Sequence, residues 1–452
     1  MAPKIKLTYF PTRGIGEVIR ILLKYGEIDF EDKRIENSEW PNIKSTTPFG
    51  QLPIYEEDGK VVGQSNAIAR YIAKKVKLSG NTDWEDLIID SMVDTLEDLK
   101  IKILAIPYEP DTERRNKIKE SVINETLPYY FERFNNIAKE NNGHLALNRL
   151  TWADILFTTL TDAFLILLGE HILDQYESLL LVRENVLAVP AIKAWVEYSI
   201  VIVGINMGLK SFLNVITIIG VAIVSYRWGS SNVTTELKPS SGNEGRKDTP
   251  SKVVLHYFDA RWTTETVRLL LKYGGIEFED NRIKGTDWQD IKPTMPFGHL
   301  PVIEIDGKKA GQSIAIARYV AKKVRLSGAN ELEDLEIDSI VDTLSDIKEK
   351  LSTIFREKDE NEKKKLKKVH LQETIPYYFE KLEARAQENN GYLVGKKLTW
   401  ADFYFTVAYD VYTGLLDSDF IQQYPNLRKV RENVLKLPAV DAWVNTRPNS
   451  DF

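Results

Sequence analysis

One stretch of this chain occurs twice. Thr46 to Ile72, TTPFGQLPIYEEDGKVVGQSNAIARYI, returns at Thr294 to Val320 as TMPFGHLPVIEIDGKKAGQSIAIARYV, an offset of 248 residues. The same offset maps Tyr9 to Tyr257, Trp40 to Trp288, Asp94 to Asp342, Pro128 to Pro376, Trp152 to Trp400 and Trp195 to Trp443. No insertion or deletion is needed from Tyr9 to Val196. A unit of about 200 residues is too long for a solenoid repeat. The chain is therefore two whole copies of one fold in tandem.

Each copy opens with a strand, Lys4–Tyr9 or Lys252–Tyr257. A helix follows, with apolar positions Val18, Ile19, Leu22 and Leu23, then a second strand region near Ile28–Ile35. In the repeated stretch, Leu52-Pro53-Ile54-Tyr55 is β-prone, and Asp58-Gly59 is a hairpin turn signal. Ser65 is expected to cap the helix Ala67–Lys75, and free N–H groups at a helix start attract a carboxylate. A proline at the start of a strand removes a ladder donor and marks a turn, a cis bond or an edge that receives a ligand's backbone. The stretch can thus hold a peptide-like molecule by its backbone and its acid group, or be an ordinary hairpin capped by a helix. From about Asp83 the pattern turns helical. Thr151-Trp152-Ala153-Asp154 and Thr399-Trp400-Ala401-Asp402 read as capping boxes. Each copy is expected to be an α/β domain followed by an all-helical domain.

Together these motifs resemble the sigma class of glutathione transferases, which includes haematopoietic-type prostaglandin D synthase and the S-crystallins. The resemblance rests on LTYF, the Trp-Pro-x-x-Lys loop, PFGQLP, QSxAIARY, Met92-Val93-Asp94-Thr95 and LTWAD. It implies thioredoxin-like domains at 1–80 and 252–328 and helical domains at 83–198 and 331–452, with an apolar segment and polar linker at 199–251. It implies glutathione as co-substrate. Tyr9 and Tyr257 would be the catalytic hydrogen-bond donors, with Arg13 and Arg261 near the sulfur. Trp40 and Lys44, beside Gln51, would take the glycyl carboxylate. Leu52, next to a cis Pro53, would offer its backbone. Gln64 and Ser65 would hold the γ-glutamyl carboxylate, and Asp98, supplied across an interface, its ammonium. The copy-two set is Trp288, Lys292, His299, Leu300, Pro301, Gln312, Ser313 and Asp346. His299 in place of Gln51 departs from the pattern and is expected to weaken one carboxylate contact.

The implied activity is conjugation of glutathione to small hydrophobic electrophiles in detoxification, with glutathione-dependent peroxide reduction alongside. The alternatives are a prostaglandin isomerase and a non-catalytic S-crystallin-like protein. The isomerase reading expects a tryptophan where Ala105 and Thr353 stand. Gly14-Ile15-Gly16 against Trp262-Thr263-Thr264, and Tyr108 against Arg356, predict a shared glutathione site with divergent electrophile preference.

Residues 200–224 are almost uncharged and long enough for a membrane span. Three readings are open: a membrane anchor, an apolar connector, or translated non-coding sequence fusing two genes. The last two are favoured, since one span would put the copies on opposite faces of a bilayer. Residues 227–251 read as a polar linker. Such a linker lets copy one pair with copy two, and a homodimer of chains is the other option. Asn232-Val233-Thr234 matches a glycosylation acceptor.

A net charge of −6 argues against a nucleic-acid partner. The chain has no cysteine, which excludes disulfides, thiolate ligands and a cysteine nucleophile and fits a cytoplasmic location. Its N-terminus has no long apolar run, so no signal peptide is expected. The five histidines lack metal-ligand spacing, and no metal is expected.

Overall fold

The structure is a computed structural model in which residues 4–207, 252–262 and 264–450 are described. Copy one begins with β1 (Ile5–Tyr9), α1 (Glu17–Tyr25), β2 (Phe30–Arg34), the short α2 (Trp40–Ile43), β3 (Ile54–Glu57), β4 (Lys60–Gly63) and α3 (Ser65–Lys75). Its helical part is α4 (Asp83–Tyr108), α5 (Thr112–Ser121), α6 (Leu127–Glu140), α7 (Trp152–Leu168), α8 (Glu177–Leu187) and α9 (Pro190–Met207). Copy two repeats the plan. Its sheet domain holds β5 (Val253–Phe258), α10 (Thr264–Tyr273), β6 (Glu279–Ile283), α11 (Trp288–Ile291), β7 (Val302–Ile305), β8 (Lys308–Gly311) and α12 (Ser313–Lys323). Its helices are α13 (Glu331–Arg356), α14 (Glu360–Val369), α15 (Ile375–Glu388), α16 (Trp400–Leu416), α17 (Pro425–Leu435) and α18 (Pro438–Thr446).

Each sheet has four strands, in order β2-β1-β3-β4 and β6-β5-β7-β8. The outer pair β1–β2 is parallel, and β3 and β4 run antiparallel. This is the thioredoxin-like arrangement, so the fold class is as the sequence implied. The hairpin turn takes positive φ at Asp58 (51°) and Gly59 (78°), the backbone that Asp-Gly permits. Both Leu52-Pro53 and Leu300-Pro301 are cis. One expectation is corrected: Ser65 is the first residue of α3, not its cap. Gln64 is the N-cap, at φ 75°, and makes no side-chain capping bond. That backbone turns the Gln64 side chain outward, toward the other copy.

The capping boxes form as expected. Asp154 accepts from the Thr151 N–H at 2.7 Å and from the Leu145 N–H at 2.7 Å, which ties the loop before α7 to its first turn. Asp402 does the same with Thr399 and Leu393. Helix α9 continues beyond Tyr198 to Met207. No helix among the described residues is long and apolar enough to cross a membrane. Most of the apolar segment and the acceptor at Asn232 lie outside the described residues.

The copies pack against each other along α3 and α4 of one and α12 and α13 of the other. At the centre, Arg70 donates to Asp90 at 2.8 Å and to Asp338 of copy two at 3.3 Å. Arg318 reciprocates, to Asp338 at 2.8 Å and Asp90 at 3.1 Å. Burial works against these charges, but the two guanidiniums outweigh it and bring the Asp90 carboxyl down to about 2. Around this square the apolar cores interlock. Phe49 is buried in the core of copy two, together with Leu87, while Leu335 joins the core of copy one. Phe297 meets Phe134 edge-on at 6.3 Å.

Candidate functional site

Tyr9 ends β1, the central strand, at the edge where the loop Gly14–Gly16 passes over its ring. A Cβ on Gly14 would lie 2.6 Å from the Tyr9 hydroxyl, and one on Gly16 2.7 Å from the ring. The glycines therefore let the loop close on the phenol. Burial raises the Tyr9 pKa, opposed by the Ile15 backbone N–H and the Arg20 charge. The group thus holds its proton at neutral pH, the form in which a phenol can donate a hydrogen bond. Tyr257 has the same strand position and is likewise raised by burial. Its neighbours differ, because Trp262 and Thr264 replace the two glycines. Trp262 takes φ 35° and meets Phe355 edge-on at 6.2 Å, a contact between the two domains of copy two.

The resemblance puts Arg13 near the sulfur; its guanidinium pairs with Asp162 at 2.8 Å and Glu17 at 3.4 Å. Arg261 makes no such pair among the described residues. Arg447 occupies Glu265 instead, at 2.8 Å. The cation on the ring is Arg20, fully buried and 5.6 Å from the Tyr9 centroid. Arg268 stands 5.9 Å from Tyr257. Each is fixed from below: Arg20 donates to Asp32 at 3.0 Å, and Arg268 to Asp280 at 3.0 Å. The signal for them was a lone arginine inside an apolar helix face, Val18-Ile19-Arg20-Ile21-Leu22.

Much of the rest of the expected set lines two cavities, although Lys44, Pro53 and Pro301 line neither of them, nor do Tyr9 and Tyr257. A cavity of about 500 Å3 is lined by Trp40, Gln51, Leu52, Gln64 and Ser65 of copy one and by Asp346 of copy two. Gln64 Nε2 donates to Asp346 at 2.9 Å and to Thr343 at 3.1 Å. Gln51 also donates to Asp346, at 2.9 Å. A second cavity, about 650 Å3, gathers Trp288, Lys292, His299, Leu300 and Gln312 with Asp98. Gln312 donates to Asp98 at 2.8 Å and to Thr95 at 3.1 Å. Asp98 thus sits beside the copy-two groove and Asp346 beside the copy-one groove, each crossing between copies. Lys44 and Lys292 lie over the rings of Tyr377 and Tyr129, at 5.7 Å and 5.0 Å, each ring belonging to the opposite copy. Pro53 and Pro301 shape the cis turns beside the grooves, and Ser313 lines the first cavity from the other side.

At the midline Asp94 and Asp342 are half-buried, and Oδ2 of each is buried with no hydrogen-bond partner among the described residues. Burial pushes both up to about 7, with Arg70 and Arg318 opposing in part. No group of acidic or histidine side chains among the described residues could hold a metal ion.

The model of the glutathione S-transferase N-terminal domain matches residues 5–74 and 253–322, and that of the C-terminal domain matches 97–199 and 345–447. A glutathione S-transferase of Anopheles gambiae is 43% identical over 194 residues, which is 43% of this chain and 96% of that protein. Hematopoietic prostaglandin D synthase of Gallus gallus is 39% identical over 198 residues, 43% of this chain and 96% of that protein. A solved structure, prostaglandin synthase D of Nilaparvata lugens, shares 42% identity at a TM-score of 0.42, covering 44% of this chain and 100% of that one. Both domain models match twice, in order, and glutathione is the co-substrate of the family they describe. The chain belongs to the glutathione S-transferase family, with two N-terminal and C-terminal domain pairs in one polypeptide.

Proposed function

We propose that each copy conjugates glutathione to small hydrophobic electrophiles, and that the two copies pair within one chain to complete each other's site. The observation that carries this reading is the crossed pair of contacts, Gln64 to Asp346 and Gln312 to Asp98, each beside a cis-proline turn. A carboxylate and an amide at a helix start are what an α-amino acid end group requires. The γ-glutamyl carboxylate meets the α3 start at Gln64 and Ser65, and its ammonium meets Asp346. The Leu52 backbone pairs with the cysteinyl unit, and Trp40 and Lys44 receive the glycyl carboxylate. Copy two uses Gln312, Ser313, Asp98, Leu300, Trp288 and Lys292 in these roles.

The chemistry follows from the thiol. At pKa ~8.5, only a few per cent is thiolate at neutral pH. A phenol that keeps its own proton donates a hydrogen bond to the sulfur anion, and the thiol proton leaves to solvent. A sulfur lone pair then forms the bond to the electrophilic carbon, and the leaving group departs with its electron pair. Arg20 and Arg268 act through the tyrosine ring as positioning residues. Arg13 holds the loop by way of Glu17 and Asp162. The same thiolate reduces a peroxide in a secondary activity. A prostaglandin isomerase role is less well supported, since Ala105 and Thr353 offer no ring to stack on a lipid substrate. The competing class is a structural protein without activity.

Rates with chlorodinitrobenzene and glutathione separate these. Tyr9→Phe and Tyr257→Phe should each remove one copy's share, and the double variant should lose about 100-fold, the usual cost of one donor to a reacting anion. An unchanged rate in the double variant would take both tyrosines out of the mechanism.

A further inference from the structure

The two grooves differ most sharply at the Gln51 position. In copy one that amide is occupied at both ends: Nε2 donates to Asp346 at 2.9 Å, and Oε1 accepts from Gln64 at 3.1 Å. Copy two has His299 there. Its ring stacks on Tyr129 at 5.7 Å and meets Tyr130 edge-on at 5.8 Å, both on α6 of copy one. Tyr129 is itself fastened, donating to the Phe297 and Gly298 carbonyls at 2.9 Å and 3.1 Å. The imidazole is therefore clamped by rings, while no described residue bonds to either of its nitrogens. It borders the 650 Å3 cavity with Trp288, Lys292 and Leu300.

Charges face it from every side. Lys102 comes from α4 and Arg133 from α6, both of copy one, and Lys292 from its own loop. Asp98 on α4 and Glu349 and Arg356 on α13 border the same cavity, and Arg356 is paired with Glu349 at 2.7 Å. The balance is cationic. Burial, then Lys102, Lys292 and Arg133, bring the imidazole down to about 4, so the empty groove holds it neutral. An arriving carboxylate neutralises those same cations and adds a negative charge beside the ring.

We propose that His299 makes glutathione binding at the copy-two groove proton-linked: the imidazole takes up one proton as the tripeptide's carboxylate seats, so affinity there rises as pH falls. The inference rests on the glutathione reading above. At the copy-one groove the matching amide has no proton to gain; Asp94 and Asp342, which border that cavity and are pushed up to about 7, are common to the wild type and to variants at position 299. The sign follows from linkage. A base that binds a proton more tightly in the complex than in the free protein strengthens the complex below the bound-state pKa. If the bound imidazole regains the ordinary value near 6.5, copy-two affinity rises about tenfold from pH 7.5 to pH 5.5.

The test is calorimetric titration of the full chain with S-methylglutathione, which has no thiol to ionise. Runs at pH 5.5, 6.0 and 7.5, in two buffers of different ionisation heat, read affinity and proton uptake together. The expected result is two classes of site, one taking up about 0.7 proton at pH 6 and gaining affinity with acid. In His299→Gln the proton uptake and the pH slope of the copy-two site should be lost, while the copy-one site behaves as in the wild type. Binding at both sites with no uptake overturns the proposal and leaves the glutathione reading intact. Uptake undiminished in His299→Gln overturns it too, by assigning the proton elsewhere. No binding at either site overturns both.

Discussion

At the scale of residues, the phenols of the two copies have unequal room. Gly14 sits at φ 43°, and the Tyr9 hydroxyl lies where its Cβ would be, at 2.6 Å. Gly14→Ala adds both a left-handed backbone cost and a clash with the reacting group. Copy-one conjugation should fall about 10-fold or more while copy two, measured in a Tyr9→Phe background, is unchanged; misplacement by an ångström is enough for losses of that size. Equal activity in Gly14→Ala would mean that the loop does not set the phenol's position. Trp262 at the matching place leans on Phe355. The place of both tyrosines near the end of the first strand was legible because one offset relates them. Arg20 was not, since a charge buried under an apolar helix is identified only once Asp32 and Glu17 are seen to converge on it.

At the scale of elements, the cis-proline loop is a two-sided device. Its inner face shapes the groove, and its tip carries Phe49 into the other copy. Behind the tip, a Cβ on Gly50 would lie 1.5 Å from the Tyr377 hydroxyl, so only glycine lets the loop lie this close to α15. Lys381 closes the contact by donating to the Thr47 carbonyl at 3.2 Å. Phe49 is 5% exposed, whereas Phe297 is half-buried. Phe49→Ala should therefore cost about 3 kcal/mol of stability in a denaturant titration, and Phe297→Ala distinctly less. Equal costs would show that burial at the loop tip does not decide the contact. The sequence marked this stretch as a turn and a helix start, and both are there. It could not show the tip's destination, because a Pro-Phe-Gly turn reads the same whether its ring meets solvent or a neighbour. The Ser65 cap failed for a related reason. Gln64 takes a positive φ, and its amide bonds across the interface instead of capping the helix.

At the scale of the whole molecule, the interface carries a pH dependence. Asp94 and Asp342 keep their protons up to about 7 in the folded chain, because burial outweighs the nearby guanidiniums. In the unfolded chain they lose them near 3.9. A carboxyl whose folded pKa is raised stabilises most at low pH, and that contribution is lost as pH rises through the folded value. Stability should therefore decline from pH 5 to 7.5, and Asp94→Asn with Asp342→Asn should flatten the decline. The unfolding midpoint should not move with protein concentration, as befits a pair joined by its own linker. A midpoint that rises with concentration would point to dimers of chains, and an unaltered slope in the double variant would absolve the aspartates. The tandem order of domains was readable from one repeated offset. The Arg70–Asp338 and Arg318–Asp90 exchange was not, because each arginine also has an aspartate of its own copy at bonding distance.

Asp346 is encoded in the second half of the gene and accepts a hydrogen bond from Gln64 of the first half, while Asp98 accepts one from Gln312 in the reverse sense. A lesion at either codon would be felt in the half that does not contain it. Splitting the coding region would separate each of these amides from the carboxylate it bonds within this chain.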